Sequence, residues 1–161
     1  MRRILFVCLG NICRSPAAQG IMQTWIERRG MSGDWSVDSA GTANYQVGKT
    51  ADPTMQKAAL ARGYLLETEA KQLTAKMVRD SQLVIAMDRE NLREIFQIAR
   101  GEPKQVKLLS DFLDASWPRD VPDPYRGPEH GFEFVLDMLE KACPAILDSL
   151  VDLPQSGGGV S

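Results

Sequence analysis

The chain has 161 residues, of which 43% are hydrophobic and 25% charged, and its formal net charge is −2 at pH 7. That length suits one globular domain with a core that needs no staples, and the near-neutral charge excludes a basic footprint for nucleic acid or an anionic membrane. Only a short apolar run follows Arg2 and Arg3, and the three cysteines are odd in number, so the expected setting is a reducing cytoplasm, with no signal peptide and no membrane span.

Ile4-Leu5-Phe6-Val7 is a short continuous apolar run, the pattern of a central strand covered on both faces. Ser15-Pro16 predicts a helix start, with serine as N-cap and proline at the first helical position. Ala18, Ile21, Met22 and Trp25 recur at helical spacing, and Gly30 supplies the stop. Residues 36–39 around Val37 read as a second short strand closed by Gly41. Asp52-Pro53 repeats the cap-then-proline signal for a helix ending at Gly63, and Thr74 caps a short helix through Val78. The run 83–87 is the third strand. Asp88 caps a helix carrying Leu92, Ile95, Phe96 and Ala99 that ends at Gly101, and 106–109 is the fourth strand.

A loop rich in aspartate and proline runs from Ser110 to about Pro128. The last helix buries Phe132, Val135, Leu136, Leu139, Ala142, Cys143 and Ile146, and Pro144 is expected to kink or interrupt it. His130 is expected at the surface, near the start of that helix. Residues 1–152 make one domain, and 153–161, polar and rich in glycine, are expected to be a disordered tail. Strands separated by helices, without a hairpin signal, imply an α/β fold. The expected form is a single-domain, four-stranded parallel sheet with helices on both faces, of the flavodoxin-like or Rossmann-like kind.

The segment Cys8-Leu9-Gly10-Asn11-Ile12-Cys13-Arg14-Ser15-Pro16 joins the first strand to the first helix. In a parallel sheet, ligands bind beyond the carboxyl ends of the strands, where this loop lies. Gly10 and Asn11 both tolerate the left-handed backbone region, and a chain alternating in hand points successive N–H groups into one anion-binding hollow. The helix starting near Ser15 adds its positive end. Arg14 matches two phosphate oxygens with a guanidinium fork. Cys8, at the floor of the same field, is expected to be a thiolate hydrogen-bonded by the Ser15 hydroxyl and able to attack phosphorus. Cys8 and Cys13 lack zinc-ligand spacing and His130 is the only histidine, so neither a metal nor another cofactor is expected. An ester oxygen leaving phosphorus also needs a proton, which a nearby carboxylic acid can supply. Asp111, Asp114, Asp120 and Asp123 all lie in the long loop, and composition does not choose among them.

The nine residues Cys8 to Pro16 resemble the signature loop of the low-molecular-weight protein tyrosine phosphatases, and Asp123-Pro124-Tyr125 resembles their acid loop. Asp38-Ser39-Ala40-Gly41-Thr42, Val47-Gly48, Ala86-Met87-Asp88 and Asn91 are similar as well, so the likeness runs from about Arg3 to Leu150. It implies phosphotyrosine hydrolysis through a phospho-cysteine on Cys8, with Arg14 as oxyanion clamp and Asp123 as general acid and then base. Leu9, Gly10, Asn11, Ile12, Cys13 and Ser15 would cradle the phosphoryl group, Asn11, Ser15 and Ser39 would hold the loop's shape, and Tyr45 and Tyr125 would wall the substrate ring. The partners implied are a phosphotyrosine protein or small aryl phosphate, with inorganic phosphate as product.

The resemblance also implies a reversible disulfide between Cys8 and Cys13 that protects the nucleophile. Cys143 reads as core, and Asp88 as a helix cap. The chain departs from many relatives at Arg126, which follows Tyr125 where they carry a second tyrosine. Three rival readings share the motif. An arsenate reductase of this fold needs downstream relay cysteines, yet none lies between Cys13 and Cys143. Relatives acting on phosphoarginine tend to carry threonine at the position of Ile12. A non-catalytic binding module would have lost Cys8, Arg14 or Asp123.

Overall fold

The computed structural model describes residues 1–151, so the expected tail at 153–161 lies outside the described residues. Four strands, β1 (Arg2–Cys8), β2 (Trp35–Gly41), β3 (Leu83–Ala86) and β4 (Val106–Leu108), form one parallel sheet in the order β2-β1-β3-β4. The apolar run in β1 is continuous because both faces are covered. Ile4 and Phe6 point into one core and Leu5 and Val7 into the other, as the two-residue period of a strand requires.

The larger core lies under α1 (Arg14–Arg28), α2 (Pro53–Ala61) and α5 (Glu129–Val151), with Ile21, Met22, Met55, Val135 and Leu139 fully buried. The smaller core lies under α3 (Ala75–Asp80) and α4 (Arg89–Ala99), where Val78 and Ile95 meet Leu5 and Val84. The chain steps from β1 to β2 on one side and then across to β3 on the other. The carboxyl end of β1 is therefore the point where strand order reverses, and a crevice opens there.

Several expected boundaries move, each for a local reason. α1 begins at Arg14 with Cys13 as N-cap and no side-chain cap bond, so Ser15 lies inside the first turn instead of capping it. β2 extends to Trp35 and Gly41 because it pairs with β1 along its whole length, from Arg2 against Trp35 to Cys8 against Gly41. Asp52 and Thr74 do cap α2 and α3, accepting the Met55 and Met77 N–H groups, although α3 runs on to Asp80. β3 ends at Ala86, not Met87, and Leu109 leaves β4 to open a 3-10 turn through Phe112. α4 stops on Arg100, which adopts the left-handed conformation (φ 56°) itself instead of leaving that turn to Gly101. α5 continues through Pro144 for 23 residues. Its missing hydrogen bond is outweighed by a fully buried flank on both sides, Cys143 and Ile146 among it. His130 is exposed in the first turn of α5. Among the described residues no helix is long and apolar enough to cross a membrane.

Candidate active site

The loop from Cys8 to Arg14 is shaped by what its carbonyl groups do. Those of Cys8 and Leu9 accept from the Thr42 and Ala43 N–H groups (3.0 and 2.9 Å), that of Ile12 from Asp52 N–H (2.8 Å), and that of Cys13 from Ala17 N–H inside α1 (3.2 Å). In a trans peptide the N–H of the next residue points opposite to the carbonyl. Four carbonyls turned outward therefore turn the following N–H groups inward, and the loop closes as a cup lined with donors. Asn11 makes the reversal possible with φ 58°, a conformation that asparagine tolerates better than most residues.

Asn11 is 1% exposed and holds the loop from behind. Its Nδ2 donates to Ser15 Oγ (2.8 Å) and Ser39 Oγ (2.9 Å), and its Oδ1 accepts from Lys71 N–H (3.0 Å). Ser39 Oγ in turn donates to Gln19 Oε1 (2.6 Å). Ser15 Oγ, released from capping, stands 3.0 Å from Cys8 Sγ, and the Asn11 N–H donates to the same sulfur at 3.3 Å.

Arg14 is 3% exposed, so its charge needs fixed partners. Its Nη1 donates to Asp88 Oδ2 (2.7 Å) and to the Val121 carbonyl (2.9 Å). With Nη1 engaged, Nε and Nη2 are the edge left for an oxyanion. Burial alone would lower the pKa of this guanidinium. Cys8, then Asp88 and Asp123, outweigh burial and raise it above its usual value, so the cation is secure. Burial is also the main reason the Cys13 thiol is pushed far up, with Asp52, Asp123 and Cys8 adding to it, so Cys13 is a neutral thiol. Cys143 is fully buried in the core of α5, and its thiol is pushed up by burial as well.

The crevice is lined by Cys8, Leu9, Gly10, Ile12, Cys13, Arg14, Tyr45, Gln46, Asp123 and Tyr125. Asp123 Oδ2 lies 3.7 Å from Arg14 Nη2, and its Oδ1 accepts the Tyr125 N–H at 3.1 Å. Of the other loop aspartates, Asp120 pairs with Arg89 (2.9 Å), Asp111 faces Arg119 (3.5 Å), and Asp114 accepts from Ser116. None of these three lines the crevice. Tyr45 and Tyr125 form its exposed rim. Asn11, Ser15 and Ser39 stand behind the loop, while the remaining expected site residues face the opening.

Sequence reasoning missed two contributors. Asp88 reads in the chain as a cap, and it does accept the Asn91 N–H on Oδ1 (2.7 Å), but its other oxygen holds Arg14. Gln46 lines the wall and is 6% exposed, with a buried Oε1 that has no partner among the described residues. No spacing or motif marks it in the chain.

The family model described as low molecular weight phosphotyrosine protein phosphatase matches residues 3–154. A relative from Synechocystis, described as a putative low molecular weight protein-tyrosine-phosphatase, is 43% identical over 150 residues, covering 92% of this chain and 96% of its own. The crystal structure of a protein tyrosine phosphatase from Entamoeba histolytica, with Hepes in its active site, superposes with a TM-score of 0.89. It is 35% identical and covers 94% of this chain and 98% of its own. A Drosophila arginine phosphatase structure superposes with a TM-score of 0.86 at 28% identity, covering 93% of this chain and 98% of its own.

Proposed function

This chain belongs to the low molecular weight phosphotyrosine protein phosphatase family, and from that premise we propose that it hydrolyses phosphotyrosine by way of a phospho-cysteine on Cys8. The observation that carries the reading is the convergence on one sulfur. Cys8 Sγ, approached by the Ser15 hydroxyl and the Asn11 N–H, shares a crevice with a buried arginine and an aspartate.

In the first half-reaction Cys8 Sγ attacks phosphorus while the phosphorus–oxygen bond to the tyrosyl group breaks. Arg14 and the inward N–H groups stabilise charge on the equatorial oxygens. Asp123 gives its proton to the departing phenolic oxygen, a contribution of about 10²–10⁴-fold for such an acid. The resulting carboxylate then takes a proton from water as that water attacks phosphorus. The sulfur–phosphorus bond breaks, inorganic phosphate leaves, and Cys8 returns as the thiolate. Tyr45 and Tyr125 pack against the substrate ring. The apolar Ile12 wall offers no hydroxyl to a guanidinium-linked phosphate, which favours the aryl ester over phosphoarginine. Cys13 is the proposed partner of an oxidised Cys8, its thiol condensing with a sulfenic acid there to give a disulfide and water. A reducing cytoplasm, which keeps Cys8 available, is the proposed setting.

Rapid acid quench with a labelled aryl phosphate tests the reading. Label on Cys8, absent from Cys8→Ser while that variant still binds inorganic phosphate, is the expected result. Undiminished turnover by Cys8→Ser would remove Cys8 from the chemistry.

A further inference from the structure

A second groove opens beside the cup, sharing Ile12, Gln46 and Tyr125 with it and adding Lys49, Asp52 and Pro53. The groove adjoins the cup, so this lip is open to chain that flanks a phosphotyrosine held there. One cation, Lys49, lines the groove, and a second, Arg126, stands against the Tyr125 ring that both openings share. Lys49 is exposed on a backbone pinned by three hydrogen bonds: its own N–H to the Gln46 carbonyl (3.0 Å), Gly48 N–H to the Ala70 carbonyl (2.8 Å), and Ala70 N–H to the Lys49 carbonyl (2.8 Å). Gly48 sits at φ 88° in that turn, a value open to few other residues. On the other side Arg126 holds a left-handed backbone (φ 62°) in a turn closed by Gly127 N–H to the Pro124 carbonyl (2.8 Å). Its guanidinium lies 5.3 Å from the centre of the Tyr125 ring. Cation–ring contact of this kind fixes a side chain that would otherwise wander.

Neither cation has an ionic partner among the described residues, whereas Arg62 pairs with three carboxylates and Arg89 with Asp120. The one carboxylate lining the groove, Asp52, is turned to the start of α2, where its Oδ2 accepts the Met55 N–H (3.1 Å). The molecule as a whole is anionic, with a formal charge of −2, so its overall field does not draw acidic peptides. Positive charge left unneutralised at the lip is therefore a local device.

We infer that Lys49 and Arg126 form a subsite that selects phosphotyrosine segments flanked by acidic residues, Lys49 from the groove and Arg126 from the Tyr125 rim. The inference rests on the phosphatase reading above and adds the class of peptide it takes.

The test compares two phosphotyrosine peptides of equal length, one with glutamate on both sides of the phosphotyrosine and one with glutamine there. The small ester p-nitrophenyl phosphate, which reaches neither cation, serves as control. At low ionic strength the wild-type kcat/KM is expected to be about two- to tenfold higher for the glutamate peptide, the range that two exposed ion pairs support. The preference should fade near 1 M salt, where screening extends only ~3 Å. In the double variant Lys49→Gln, Arg126→Gln the ratio should approach one while p-nitrophenyl phosphate turnover stays unchanged. Equal use of both peptides by the wild type, or a preference that survives in the double variant, overturns the subsite alone. Failure to hydrolyse either peptide or the small ester overturns the phosphatase reading and the subsite with it.

Discussion

Arg14 and Asp88 are separated by 74 positions in the chain and meet at 2.7 Å, Nη1 against Oδ2. Asp88 spends its other oxygen on the first turn of α4, so the orientation of the guanidinium is tied to a helix end in the smaller core. A hydrogen bond to a charged group contributes about 1.5–3 kcal/mol. Asp88→Asn, which can keep the cap, is expected to lower kcat/KM on an aryl phosphate about 10- to 100-fold and to weaken inhibition by inorganic phosphate. Unchanged kinetics with a lowered melting temperature would reduce Asp88 to a cap.

Asp123 is expected to matter in proportion to how badly the leaving group needs a proton. Asp123→Ala should slow phosphotyrosine by about 10²–10⁴-fold and an ester of an acidic phenol by much less. The measurement is the dependence of kcat on leaving-group acidity across a series of aryl phosphates, which should steepen in the variant. Equal slowing across the series would remove Asp123 from the acid role.

Asn11→Ala takes away a side chain joined to Ser15, Ser39 and Lys71 and leaves alanine in the left-handed region. Unsatisfied buried partners and the backbone penalty together predict a loss of about 2–4 kcal/mol, or roughly 5–15 °C in melting temperature. Activity should fall even at temperatures where the variant is folded, because the cup loses its brace. Ser39→Ala, which removes one of these contacts, should show a smaller change in the same direction. Calorimetry alongside steady-state kinetics checks both.

Tyr64 is a reporter that does not line the cup. Burial first, and then its hydrogen bond to Glu140 (2.6 Å), push its phenol up from 10.0 to about 12. Above pH 10 the unfolded chain gives up this proton before the folded one does. The stability it supplies is therefore complete below about pH 10 and is lost as pH rises toward about 12. Tyr64→Phe should flatten that part of the alkaline unfolding profile, read by denaturant titration at stepped pH.

The signals that were legible in the chain are those settled by a few neighbours. Ile4 to Val7 declared a strand covered on both faces, and Asp52-Pro53 and Asp88 declared helix starts, because apolar period and capping chemistry are local. Ser15 departs from its cap signal because of its other partner. Serine before proline is a sound cap signal, yet the hydroxyl has a competing use at Cys8 Sγ, and that competition exists only once the loop has folded back on itself. Pro144 shows a similar override, since the buried residues on both sides of it belong to a helix that continues through it. Asp88 holding Arg14, and Gln46 closing the wall, are contacts across the sheet edge that no spacing encodes. Cys8 and Arg14 stand out in the chain because they share one short loop, whereas Asp123 is singled out only by resemblance to a family.

The bond from Arg14 to the Val121 carbonyl has a wider consequence. Val121 is 1% exposed, its own N–H reaches the Met87 carbonyl (3.0 Å), and Asp123 follows two residues later. Asp123, the acid proposed for the leaving group, therefore stands on a stretch moored to the guanidinium proposed to grip the phosphoryl group. An enzyme whose donor swings in with a flap must repeat that ordering in every cycle. Here Val121 ties that stretch to Arg14 within the fold, so on the proposed mechanism the clamp and the proton source are positioned by one shared contact.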